Sequence, residues 1–199
     1  MKNIKLNIFV LIFIFFFSSI TFSSAKISSN FINEISIQTS SILTSNEPRE
    51  LKIDKLIKIA EEAVDINGIG SYTLGKHRKV LSDDQKKQYQ KIFRNYFLKS
   101  FSNKLVEYEE AKIVVVDEDV KNEKYTIVKS KLVATSSRPE ISVDWRVYTK
   151  DPKKPLIRDL IIEGLSLART QKEEFNSIIT NNDGNINALL NVLREFNNK

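Results

Sequence analysis

The sequence predicts an α+β fold in which a curved, mainly antiparallel sheet of about four strands packs against several helices. A change of hydrophobic period is the first observation behind this prediction. Apolar residues recur every three or four positions before residue 110 and again after residue 166. Between residues 110 and 166 they tend to alternate with polar residues. The second observation is that the polar segments 119–123, 136–139 and 150–155 are short enough for antiparallel hairpins.

Residues 1–25 have the three-part layout of a secretory signal peptide. Two lysines precede an unbroken apolar run over residues 8–17, and a small-residue cleavage site ends at Ala25. The run is shorter than the roughly 20 residues that a membrane-spanning helix needs. The chain has no cysteine, which excludes a lipoprotein anchor. We therefore expect an exported protein with one domain over residues 26–199.

Three helices are predicted ahead of a long fourth one. The first covers residues 26–44 and ends before Pro48. Asp54 is predicted to cap the second helix. A short third helix is predicted from Asp65 to a glycine, Gly75, which suits the left-handed position after a helix.

The fourth predicted helix carries the most informative local pattern. Ser82 and Gln85 form a capping box at its start. Its apolar face, widened by Tyr96, repeats every fourth residue through Tyr89, Phe93, Phe97, Phe101 and Leu105. Such a face usually fills a core. The alternative is that helix and sheet are held apart, leaving an apolar cavity that would accept acyl chains at about 0.8 kcal/mol per buried CH₂. Periodicity alone does not choose between these two interpretations.

Four strands are predicted, over residues 112–116, 125–134, 141–148 and 156–163. The third alternates most strictly, with one side formed by Ile141, Val143, Trp145 and Val147. Two further helices follow, with apolar faces over residues 168–179 and 186–196, separated by Asn182-Asp183-Gly184.

Composition excludes several classes of protein. The chain has 31 Lys and Arg against 25 Asp and Glu, a formal net charge of +6 that cleavage of the two signal-peptide lysines lowers to +4. These charges are scattered, so the sequence lacks the concentrated basic face of a nucleic-acid-binding protein. A weak attraction to anionic lipid headgroups or to an acidic partner stays open. Without cysteine, zinc sites rich in cysteine and thiol nucleophiles are excluded.

Candidate catalytic and metal-binding groups are few. The single histidine, His77, lies between basic neighbours that would repel a metal cation. The acidic pairs at 83–84 and 173–174 are adjacent in sequence, so their side chains point in different directions on a helix. No nucleophile elbow or glycine-rich phosphate loop is present. We expect no catalytic residue, no metal and no cofactor, with an acid–base enzyme as the less favoured alternative.

Several segments resemble the MlaC family, also called the toluene-tolerance auxiliary proteins. In order along the chain they are Ala63-Val64-Asp65-Ile66, Leu74-Gly75-Lys76, Tyr96-Phe97, Val143-Asp144-Trp145-Arg146-Val147, Arg158 to Leu167, Gln171, Glu174-Phe175 and Gly184. The resemblance covers nearly all of residues 26–199, and residues 159–175 are its most specific part.

The resemblance implies a periplasmic phospholipid carrier that buries acyl tails between sheet and helices and leaves the headgroup in solvent. It also implies two partners, an inner-membrane ABC transporter with an MCE-domain protein and an outer-membrane lipoprotein complex, in a system that maintains outer-membrane lipid asymmetry. We expect a monomer that binds no nucleic acid. The alternatives are a carrier of another lipid, such as a hopanoid, and a non-catalytic periplasmic adaptor.

The resemblance and the predicted faces together give a set of candidate lipid-binding residues. They are Phe93, Tyr96, Phe97, Phe101, Leu105, Val143, Trp145, Val147, Ile161, Leu165, Phe175 and Ile179. Ordinary core packing is the alternative for each. Arg158 and Glu163 stand on an otherwise apolar strand, where they would either orient the headgroup or pair at a sheet edge.

Overall fold

A computed structural model describes residues 21–108 and 111–199, in which six α-helices, one 3₁₀ helix and five strands follow one another. The elements are α1 (Thr21–Leu43), α2 (Arg49–Ala63), α3 (Ile66–Thr73), the 3₁₀ helix (Gly75–Lys79), α4 (Asp83–Leu105), β1 (Ile113–Asn122), β2 (Tyr125–Leu132), β3 (Ile141–Tyr148), β4 (Leu156–Ile162), β5 (Leu165–Ser166), α5 (Leu167–Thr180) and α6 (Ile186–Asn198). The strands form one antiparallel sheet in sequence order. This confirms the α+β prediction and adds a short fifth strand. The predicted signal peptide falls largely on residues 1–20, outside the described residues.

The helix starts follow from local capping chemistry, with one correction. A third helix starting from Asp65 was predicted, and the structure adds that Asp65 caps α3, because its side chain accepts a hydrogen bond from the Gly68 backbone N–H at 2.8 Å. The predicted capping box at the start of α4 is also present. The prediction that Asp54 caps α2 is wrong, because the helix already begins directly after Pro48. Proline fixes a φ near the helical value and needs no hydrogen-bond acceptor, which suits a helix start.

The first strand is longer than its apolar residues indicate. It runs on to Asn122 through residues that the sequence assigned to a polar turn. The polar half is paired with β2 except at a register shift between Val120 and Asn122, and Lys129 forms an ion pair with Asp117 at 2.7 Å across the two strands. Pairing with a neighbouring strand thus outweighs the low intrinsic strand preference of acidic residues.

The core is divided into two clusters. The helical cluster is centred on fully buried residues of α4, α5 and α6, such as Tyr89, Ile179 and Leu189. The second cluster packs α1 and α2 on the sheet, with Ile32 and Val147 at its centre. Because the apolar side chains are shared between two clusters, the space between α4 and the sheet is not filled by one continuous core.

The junction of α2 and α3 ties the helices to the sheet at one point. Val64 pairs with Ile157 of β4 in a parallel bridge, and the Asp65 N–H donates to the Ile157 carbonyl at 2.9 Å. Val64 also packs against both core clusters. This contact fixes the spacing between helices and sheet on one side of the space described next.

Candidate functional site

Two adjoining apolar cavities, each partly open to solvent, lie between the helices and the sheet. The first has a volume of about 250 Å³ and lies between α3, α4, α5 and strands β3 and β4. The second, about 230 Å³, lies between α1, α2, the end of α4 and the inner face of the sheet. Seven residues line both: Val64, Phe101, Lys104, Trp145, Ile157, Leu160 and Leu167. Together the cavities fall within the roughly 300–1,000 Å³ typical of small-molecule sites.

The aromatic face of α4 forms the wall of the first cavity. Phe97 stacks on Phe101 with ring centroids 5.7 Å apart, and Phe93 lies 6.1 Å from Phe97. The Tyr96 hydroxyl donates a hydrogen bond to the side-chain carbonyl of Gln171 on α5 at 2.9 Å. Burial raises the pKa of the Tyr96 phenol, so it stays neutral at physiological pH. The aromatic stripe therefore lines a cavity along much of its length as well as packing in the core.

The second cavity is enclosed largely by aliphatic side chains from several helices and strands. These include Ile35 of α1, Leu56 and Ile59 of α2, Leu105 of α4, and Leu132, Ile141, Val143 and Ile162 of the sheet. Ser36 also lines it, and its buried hydroxyl has no hydrogen-bond partner among the described residues. Such a lining favours a hydrocarbon ligand over a polar one, because polar ligand atoms would lose their hydration without finding donors or acceptors.

Trp145 is fixed where the two cavities meet. Its indole N–H donates to the Ser130 hydroxyl at 2.8 Å, and that hydroxyl donates to the Val143 carbonyl at 2.6 Å. Both polar groups are thereby satisfied inside an apolar environment. The indole is left as a rigid wall shared by both cavities.

A β-bulge on β4 decides which of its side chains reach the cavities. Arg146 is opposite Asp159, but the next residue of β3, Val147, is opposite Ile157. Arg158 is therefore an extra residue on β4. A bulge of one residue shifts the inward and outward alternation by one position on the rest of the strand.

Beyond the bulge, Leu160 and Ile162 face the cavities, opposite Trp145 and Val143 of β3. Ile161 lies opposite Asp144, which is on the face of β3 that points away from the cavities, and Ile161 does not line either cavity. Uninterrupted alternation from Ile157 would have turned Ile161 inward. No glycine or proline within the strand marks this bulge in the sequence.

The twelve candidate residues separate into two groups. Those that line a cavity are Phe93, Tyr96, Phe97, Phe101, Leu105, Val143 and Trp145. Five lie elsewhere: Val147, Phe175 and Ile179 are buried in the two core clusters, Ile161 faces away, and Leu165 is 59% exposed on β5. The sequence-based set contained no residue of α1 or α2, although both supply walls of the second cavity. Their apolar faces were visible in the sequence, but nothing there indicated what those faces contact.

The two charged candidates for headgroup contact lie outside the cavities. Arg158 forms an ion pair with Asp65 at 2.6 Å and its guanidinium lies 3.6 Å from the centre of the Tyr148 ring. The Glu163 carboxylate accepts a hydrogen bond from the Ser142 backbone N–H. Arg158 thus fastens α3 to the sheet, and Glu163 pairs at the end of β4.

Asp159 is the acidic residue in the lining of the first cavity. It is buried, and its two oxygens accept from the Ser166 hydroxyl at 2.6 Å and the Ala168 N–H at 3.0 Å. Ser166 in turn caps α5. The carboxylate therefore holds the start of α5 against β4, and no serine–histidine or cysteine–histidine pair accompanies it in the lining.

The histidine and the acidic side chains of the described residues form no metal site. Among residues 21–108 and 111–199, no group of three or more His, Cys, Asp or Glu side chains is placed to hold a metal ion. His77 is engaged with the Asn176 side chain, with its Nε2 atom 3.0 Å from the amide oxygen. No helix in this part of the chain combines the length and apolarity needed to cross a bilayer.

These features define an α+β protein with an apolar, partly open cavity between its helices and its sheet. The family model described as MlaC protein matches residues 33–195. The chain therefore belongs to the MlaC family, and the resemblance noted from its motifs is confirmed.

A solved structure has the same fold. The phospholipid-binding protein from Ralstonia solanacearum, determined at 1.53 Å in complex with a phospholipid, superposes with a TM-score of 0.70 at 18% sequence identity. The match covers 85% of this chain and 96% of the other. Among curated protein sequences, no significant match was found.

Proposed function

We propose that this protein is a phospholipid carrier, with the acyl chains held in the two cavities. The observation that carries the proposal is the pair of adjoining apolar cavities that separate α4 from the sheet. Membership of the MlaC family supports it, as does the phospholipid complex of the Ralstonia solanacearum protein.

The two cavities match the shape of a diacyl lipid. Their volumes are nearly equal, and they meet along one shared boundary, so each can receive part of one chain of a lipid whose chains join at a glycerol. Transfer of a chain from water gains about 0.8 kcal/mol for every CH₂ that is buried. Binding therefore needs no catalytic group, and lipid exchange with a membrane would be governed by access to the opening.

Family membership supports a place for the protein in lipid transport between membranes. On this proposal the exported chain, residues 26–199, works in the periplasm as a monomeric single domain. It shuttles phospholipid between an outer-membrane lipoprotein complex and an inner-membrane ABC transporter with an MCE-domain protein, and so maintains outer-membrane lipid asymmetry. A carrier of this kind binds its cargo reversibly and makes or breaks no covalent bond.

The alternatives differ from this proposal in what the cavities contain. A carrier of a hopanoid or similar lipid would use the same walls with a rigid ligand. A non-catalytic adaptor would need no ligand. An enzyme would depend on Asp159, whose two oxygens are already engaged at the start of α5.

Native mass spectrometry of the purified exported protein, followed by extraction of its ligand, tests the proposal. We expect a mass increment that corresponds to phospholipid. Phe97→Asp should lower bound lipid strongly, because it places a carboxylate on the wall of the first cavity, whereas Asn95→Asp, exposed on the same helix, should bind as the unmodified protein does. A protein that stays free of lipid after incubation with phospholipid vesicles would overturn the proposal and favour the adaptor.

A further inference from the structure

The boundary between the two cavities carries one charged side chain, Lys104, in the last turn of α4. The other residues that line both cavities are apolar. Lys104 and Leu167 are also the exposed members of this set, with 69% of the lysine side chain accessible. The shared opening therefore lies between the end of α4 and the start of α5, with a cation at its edge.

The chemistry of a diacyl phospholipid places its phosphate at this opening. Its two acyl chains diverge from one glycerol, and the phosphate is attached to the third glycerol carbon. If each cavity holds one chain, the glycerol lies at the shared boundary and the phosphate lies at the exposed side of that boundary. We propose that Lys104 Nζ binds the lipid phosphate there and makes the protein selective for phosphate-bearing diacyl lipids. This inference rests on the proposed function.

The surroundings of Lys104 are compatible with an exchange of its ion-pair partner, from the Glu107 carboxylate to a lipid phosphate. In the structure its ammonium is 2.7 Å from Glu107 Oε2 on the solvent side. That hydrogen bond raises the pKa of Lys104 and lowers the pKa of Glu107, so both are charged near neutral pH. The positive charge of Arg49 also acts on Glu107, so this carboxylate keeps a cation nearby when Lys104 turns to a phosphate.

A second donor lies on the same face of the helix. Ser100 precedes Lys104 by one turn and lines the first cavity. Residues four apart on a helix are neighbours, so its hydroxyl is in position to accompany the ammonium. The two groups recognise the phosphate and glycerol region, which diacyl phospholipids share whatever their headgroup. We therefore expect little discrimination among phospholipid headgroups and clear discrimination against diacylglycerol.

The test compares uptake of two lipids with identical chains, phosphatidylglycerol and diacylglycerol, presented in otherwise identical vesicles. The full chain is expressed, the exported protein is purified, and bound lipid is counted by mass spectrometry. Lys104→Gln should lower the ratio of phosphatidylglycerol to diacylglycerol about two- to fivefold, the scale of one exposed ion pair. Uptake of diacylglycerol should stay unchanged. Lys104→Arg should keep the ratio, and Lys91→Gln, exposed on the same helix, serves as the matched control.

Two further arms distinguish a lipid-phosphate site at Lys104 from a site for free anions. Glu107→Gln should raise the ratio, because it removes the carboxylate that competes for Lys104. Excess inorganic phosphate at constant ionic strength should leave lipid uptake unchanged, since free phosphate has no chain to hold it at the opening. Competition by inorganic phosphate would identify a free anion site and overturn the proposal.

The outcomes also distinguish this inference from the proposed function. If the protein takes up both lipids and Lys104→Gln leaves their ratio unchanged, the role of Lys104 is overturned and the proposed function is not. Equal loss of both lipids in Lys104→Gln also overturns it, because it would indicate a structural role. Uptake of neither lipid by the unmodified protein overturns the proposed function, and this inference with it.

Discussion

Val143→Asp places a carboxylate on the wall of the second cavity and tests whether that cavity holds an acyl chain. Val143 is 7% exposed, on β3, and its side chain faces the cavity opposite Ile162. In the lipid-free protein the cavity is partly open, so water can enter and hydrate the new carboxylate. A chain that enters the cavity must remove this water, and the cost therefore falls mainly on binding.

The expected loss of affinity is large. Removing the hydration of an ion inside a protein costs several kcal/mol even after relaxation. Since each 1.4 kcal/mol corresponds to a factor of ten, binding should weaken by about 100-fold or more. Burial beside an acyl chain disfavours the charged form and raises the pKa of the new Asp in the lipid-bound state. Lipid affinity should therefore recover in part as the pH is lowered, because the neutral acid is easier to bury.

The assay measures lipid bound per protein by native mass spectrometry and the melting temperature by circular dichroism. Val143→Thr keeps the shape of the side chain without a charge, and Val114→Asp places the same charge at an exposed position of β1. Both should retain lipid. Unchanged lipid binding by Val143→Asp, or a loss of lipid that merely parallels a loss of folded protein, would refute the assignment of Val143 to a chain-binding wall.

Three further substitutions test the walls of the cavities. Gly70→Ala places a Cβ 2.7 Å from a ring carbon of Phe93. We expect the ring to be displaced and the free energy of unfolding to fall by about 1–3 kcal/mol. An unchanged melting temperature would contradict this close packing. Ser130→Ala leaves the Trp145 N–H without its acceptor, which should cost about 1–3 kcal/mol in chemical denaturation, while Ser130→Thr, which keeps a hydroxyl, should cost less. Ser36→Ala removes a buried hydroxyl that has no partner among the described residues and should leave stability equal or higher; a clear loss in thermal unfolding would show that this hydroxyl is satisfied.

Much of the local structure is determined by the sequence. The capping groups at Asp65 and Ser82 act within a few residues of the chain, and they define helix starts without reference to the rest of the protein. The alternation of residues 141–148 and the four-residue spacing of the aromatic face likewise each depend on the geometry of a single strand or helix. Together with the motifs spread along the chain, they were enough to predict an α+β protein of the MlaC family.

The function of each face was decided only by the tertiary structure. A periodic pattern defines which side of α4 is apolar, but whether Phe97 and Phe101 fill a core or line a cavity depends on the distance to Trp145, which lies on another element. That distance is set in part by the bridge between Val64 and β4.

The remaining differences have the same origin. Counting alternate residues along β4 assumes an uninterrupted ladder, and the one extra residue at Arg158 exchanges Ile161 for Leu160 in the cavity wall. Lys104 shows no distinguishing pattern in the sequence, where it is one exposed lysine among many. Its place at the boundary of two cavities exists only once α4, α5 and the sheet are assembled, because a site of this kind is a relation between elements that lie far apart along the chain.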